Sequence, residues 1–101
     1  MKILKKEEQH KSDGTYLQGG IIIEYQKIVE ILGESIGESE DHKAAAQWII
    51  EFEDGIIATI YNWKNSKNYI GEKSTDTKDI THWNIGGNTQ DVVGMVKELF
   101  R

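Results

Sequence analysis

A two-layer α+β domain is the fold this sequence predicts: a small antiparallel sheet of three to four strands packed against two helices, in the order βαβββα. Three observations carry it. Apolar residues alternate on both sides of Asp54-Gly55, which marks a hairpin with a tight turn. Two other stretches repeat apolar residues at the i, i+3, i+4, i+7 spacing of a helix with one buried stripe. The aromatic face of the hairpin offers both stripes a surface to bury against. A chain of 101 residues and 11.5 kDa has material for one core, so residues 1–101 are read as a single domain.

The first strand is read from Tyr16 to Ile23, weakened by Gly19-Gly20. A helix follows with Tyr25, Ile28, Val29 and Leu32 on one stripe and Gly33 as a left-handed cap. In the hairpin, a two-residue Asp54-Gly55 loop sets Phe52 opposite Ile57, Ile50 opposite Thr59 and Trp48 opposite Tyr61, all on the core face. Ile49, Ala58 and Ile60 then fall on the reverse face, where they would support self-association. The last strand runs from Ile80 to Ile85, with Trp83 and Ile85 inward and His82 and Asn84 outward. The second helix spans about Thr89 to Phe100, its stripe Val92, Met95, Val96 and Leu99, with Asn88 as N-cap and Asp91 in capping-box position. Two connections remain, an acidic loop from Glu34 to Lys43 and a long polar one from Lys64 to Asp79.

Composition excludes several classes of function. Twelve basic against seventeen acidic residues give a net charge of −5, which repels long nucleic acid. The absence of Cys removes disulfides and thiolate metal sites. The longest aliphatic run, Ile21 to Ile23, is far too short for a membrane span, and the stretch from Met1 to Lys11 lacks the apolar core of a signal peptide. A cytosolic protein with no membrane partner is expected. His10, His42 and His82 lie in separate elements, so no metal site and no cofactor is expected. No G-x-S-x-G elbow accompanies Ser12, Ser35, Ser39, Ser66 or Ser74, and no catalytic residue is assigned. The chain is read as a non-enzyme.

The candidate ligand site centres on Asn84, Gly86, Gly87, Asn88 and Thr89, where a strand is expected to end in two glycines before a capped helix. Unpaired amides and the helix dipole favour an anion there, although a plain strand-to-helix turn has the same signature. Lys64, Lys67 and Lys73 in the long loop would supply positive charge to a phosphate, and Tyr61, Trp63, Tyr69 and Trp83 a surface on which a base stacks. For Trp63 and Trp83, core and stacking roles both stand; Tyr69, within a polar loop, is the exposed aromatic. Glu38, Glu40 and Asp41 form a candidate partner-binding cluster.

Three stretches carry a resemblance. Gly14-Thr15-Tyr16-Leu17-Gln18-Gly19, Trp48 through Gly55 with Ala58 through Lys64, and Trp83-Asn84-Ile85-Gly86-Gly87 resemble a family of small tailed-bacteriophage proteins with the pattern Y-N-W-K … W-x-I-G-G. Asn84 departs from it, standing where members tend to carry His before Ile-Gly-Gly. The resemblance implies a viral accessory protein in the host-cell cytoplasm, with an anti-defence role and no defined activity. The expected function is therefore an immune-evasion protein that binds and sequesters a small phosphate-containing nucleotide signal. Such a sponge is expected to be a homo-oligomer, because a small domain encloses a pocket most easily between subunits. The alternative is a protein–protein inhibitor of a host immune or nuclease complex, anti-CRISPR-like, acting through an acidic surface.

Overall fold

The computed structural model describes residues 1–37, 46–62 and 76–101. In chain order these form β1 (Lys2–Ile3), a 3₁₀ segment over Lys6–Ser12, β2 (Tyr16–Ile22), α1 (Tyr25–Leu32), β3 (Gln47–Glu51), β4 (Ile57–Tyr61), β5 (His82–Gly87) and α2 (Val92–Leu99). Five antiparallel strands lie in the order β1-β3-β4-β5-β2. The α+β class is as the sequence predicts. The strand count and order differ, because β1 has only two residues and a pattern of period two cannot be read from so short a piece.

The hairpin forms around Asp54-Gly55, but one residue out of the expected register. Asp54 (φ 61°) and Gly55 (φ 74°) both take the left-handed conformation that a primed turn demands, and Ile56 N–H closes it onto Glu53 O at 3.3 Å. Phe52 N–H then donates to Ile56 O at 2.8 Å, so three residues rather than two are looped out. Glu51 pairs with Ile57, Ile50 with Ala58 and Trp48 with Ile60. Because side chains alternate, this single step inverts every residue of β4. Ala58 and Ile60 are buried in the main core, whereas Ile57, Thr59 and Tyr61 take the reverse face. Trp48, Ile50 and Phe52 keep their expected side. The reverse-face role given to Ala58 and Ile60 is thereby corrected, and Ile49, although on that face, is also fully buried.

Both helices pack on the face that carries Trp48, Ile50, Ala58, Ile60, Trp83 and Ile85. Ile28 and Leu32 of α1 and Val92 and Val96 of α2 enter this core, as their spacing predicts. Trp83 is 1% exposed, which resolves its two readings in favour of core. Trp48 and Trp83 meet edge to face at 5.4 Å, with Tyr25 of α1 about 6 Å from each ring. On the reverse side Leu4, Ile49 and Ile57 form a second, smaller cluster with Ile36 against it. The chain between β1 and β2 crosses this side, where Lys2 bonds Glu8 at 2.9 Å and Lys11 lies 3.6 Å from Glu51.

Candidate functional site

Gly86 and Gly87 do not form a loop before the helix. They are the last two residues of β5 and are paired on both sides: with Thr59 and Ala58 of β4, and with Leu17 and Tyr16 of β2. Their lack of a side chain is required by packing. A Cβ on Gly87 would stand 2.5 Å from Val92 Cγ2 and 2.9 Å from Ile57 O, so the glycine lets α2 settle on the sheet. A Cβ on Gly86 points to the reverse face and would stand 2.5 Å from Thr59 Oγ1 and 3.3 Å from Tyr61 Cε1. The expectation of free amides at a diglycine turn is corrected accordingly.

Asn88 is likewise not the helix cap. Its Oδ1 accepts from Ile57 N–H at 3.0 Å, its Nδ2 donates to Gly55 O at 2.9 Å, and its own N–H donates to Ile57 O at 3.2 Å. The side chain thus continues the β4–β5 ladder for one more step and ties it to the hairpin turn. Asp91 occupies the N-cap of α2 without a side-chain capping bond, and Thr89 Oγ1 accepts from Asp91 N–H at 3.4 Å. Val92 and Val93 donate their N–H groups to Thr89 O and Gln90 O. With these amides engaged and a carboxylate at the cap, the start of α2 is poorly suited to an anion.

Asn84 lies elsewhere. It pairs with Tyr61 across β4 and β5 and with Gly20 across β5 and β2, at the end of the sheet remote from the hairpin turn. Four residues of strand separate it from Asn88, roughly 13 Å. The described candidates therefore run along β5 and do not surround one pocket. Lys64, Lys67, Lys73, Tyr69 and Trp63 lie outside the described residues, as do Glu38, Glu40 and Asp41.

What the strands do bring together is a patch on the reverse face: the half-buried Tyr61 and Asn84 and the exposed His82, with Gly86 buried beneath Thr59 and the Tyr61 ring. The one-residue register step puts Tyr61 there, which the expected pairing hid. Its phenol is half-buried, and that burial raises its pKa, so it stays neutral and able both to donate and to accept. At the root of the same end, Asn62 is buried and its Oδ1 accepts from Ala46 N–H at 3.0 Å. Among the described residues no cluster of His, Asp and Glu converges as a metal site, and no helix is long and apolar enough to cross a membrane.

No protein family, no curated protein and no solved structure matches the chain.

Proposed function

We propose that the chain is a non-enzymatic binding protein that takes a small phosphate-containing nucleotide on the sheet face built by Tyr61 and Asn84, as a viral anti-defence protein acting in the host cytoplasm. The observation that carries this reading is the Tyr61–Asn84 pair across β4 and β5, with the exposed His82 on the same face. A neutral aromatic ring offers a stacking surface, and the Asn84 amide beside it offers both a donor and an acceptor to a base edge. Lys64 and Lys67 follow Tyr61 by three and six residues in the chain, within a stretch, 63–75, whose only acid is Glu72. In a chain of net charge −5, that is where a phosphate meets least repulsion. The reading moves the centre of the site to Asn84 and away from Asn88 and Thr89.

The test is to purify the protein from infected and uninfected host cells, denature it, and identify released small molecules by mass spectrometry. Release of a nucleotide near one per chain from the wild type, and its loss from Tyr61→Ala and from Lys64→Ala with the fold intact by circular dichroism, is the expected result. A wild type that releases nothing and binds no added nucleotide in calorimetry overturns it. The second reading, inhibition of a host immune or nuclease complex, is favoured by the net charge of −5. Reversing Glu38, Glu40 and Asp41 would then slow association and reduce its salt dependence.

A further inference from the structure

The two edges of the sheet are protected very differently. β1 is two residues long, so a strand approaching it meets little ladder. β2 forms the other edge with seven residues, Tyr-Leu-Gln-Gly-Gly-Ile-Ile, none of them charged and none proline. Among the described residues no strand pairs with its outer side. Tyr16, Leu17 and Ile22 are 75%, 63% and 75% exposed there.

The ladder fixes which backbone groups face out. Ile23 N–H donates to Thr81 O at 2.8 Å, so Ile23 and, by alternation, Ile21 point their polar groups into β5. Gly20 and Ile22, the intervening residues, therefore point their N–H and C=O outward. Gly20 lies opposite Asn84 and Ile22 opposite His82, which places both on the reverse face.

We infer that β2 is the contact between two copies of this chain, joined antiparallel about a twofold axis at Ile21, with Gly20 of each strand opposite Ile22 of the other. This inference does not rest on the proposed ligand. The strand is its own complement in three respects. The outward groups of Gly20 and Ile22 form a reciprocal hydrogen-bonded pair on each side of the axis. Each Ile22 side chain lies over a Gly20 that has none, so on the reverse face the joint brings no two bulky side chains together. The stretch that pairs about this axis, residues 19–23, is uncharged, so two chains of net charge −5 meet where neither carries charge, whereas a charged partner finds nothing there to pair with. The result is a continuous sheet across both subunits, with the buried Ile49, Ala58 and Ile60 uninvolved. One strand pair is a small interface, so the dimer dissociates on dilution.

Sedimentation across a dilution series should give a mass near twice 11.5 kDa at high concentration, falling to 11.5 kDa on dilution. Hydrogen exchange read by NMR should show the amides of Gly20 and Ile22 slowing as the dimer forms, with that of Ile23 unchanged. Ile22→Lys, at an exposed position, should fold normally and remain monomeric throughout. A wild type that stays monomeric, a dimer in which the Gly20 and Ile22 amides exchange freely, or a dimer that persists in Ile22→Lys overturns the inference.

Discussion

The indole N–H groups of Trp48 and Trp83 hold the two ends of α1. Trp48 Nε1 donates to Gly33 O at 2.9 Å, just past the helix, and Trp83 Nε1 donates to Ile23 O at 3.1 Å, just before it. The rings meet edge to face beneath the helix. One aromatic pair thus fills the core, satisfies its own buried donors and fixes both the position and the axis of α1.

Replacing either Trp by Phe keeps an aromatic ring but strands a carbonyl and leaves a void. Each of Trp48→Phe and Trp83→Phe should lower stability by about 2–4 kcal/mol, read from urea unfolding at unchanged m-value. Because the rings touch, the double variant should depart from additivity.

The glycines of the chain should separate by direction of effect. Gly87→Ala drives a methyl into Val92 and the Ile57 carbonyl and should cost about 1–3 kcal/mol, partly recovered by Val92→Ala. Gly94 lies within α2, and a Cβ added there would meet nothing within 4 Å, so its replacement by Ala should gain about 0.5–1 kcal/mol. Thermal unfolding of the three variants checks the order.

Asn88 should behave as a structural residue. Asn88→Ala removes both side-chain bonds to the hairpin and should cost about 1–3 kcal/mol, with no effect on nucleotide binding. Asn88→Asp keeps the acceptor for Ile57 N–H and loses only the donor, so it should fall between wild type and Asn88→Ala. A selective loss of ligand affinity in Asn88→Ala would return this residue to the site.

The crossing segment should respond to pH at both extremes. The hydrogen bond from Lys2, then the Lys5 N–H and the charges of Lys2 and Lys11, hold the Glu8 carboxyl below its ordinary pKa. Its contribution is present above the unfolded value and is lost as pH falls through the folded one. Lys2 is raised, first by its bond to Glu8, so its contribution is present below the ordinary lysine value and is lost as pH rises through the raised one. Protection of the amides in Lys6–Ser12, taken relative to their intrinsic exchange rates, should therefore fall in acid and in strong base, be sensitive to salt, and lose its acid limb in Glu8→Gln.

Helical spacing is largely legible in the sequence: Ile28, Leu32, Val92 and Val96 are buried as their positions require, because one period governs a whole element, although Val93 rather than the expected Met95 packs against the core. The hairpin is legible as a pair and as a turn, yet the single looped-out residue at Glu53 inverts β4, since no local pattern distinguishes two alternating apolar faces. Ile57 and Ala58 are both buried, so either parity reads as a core strand. Asn88 and the two glycines carry the signature of a helix start, but their partners, Gly55, Ile57 and Val92, include residues more than thirty positions away in sequence. Tyr61 enters the candidate face only through that same register step, and its signal in the sequence is no more than an aromatic at the end of a strand.

The placement of β2 also has a consequence for synthesis. It is made before its described neighbour in the sheet, β5, which begins only at His82, about sixty residues after β2 ends at Ile22. A ribosome adds roughly 5–20 residues per second, so this uncharged segment waits for several seconds with neither side of its backbone engaged. For that interval it is the stretch on which a chaperone would find its easiest hold, and nascent copies on one messenger would meet through it first.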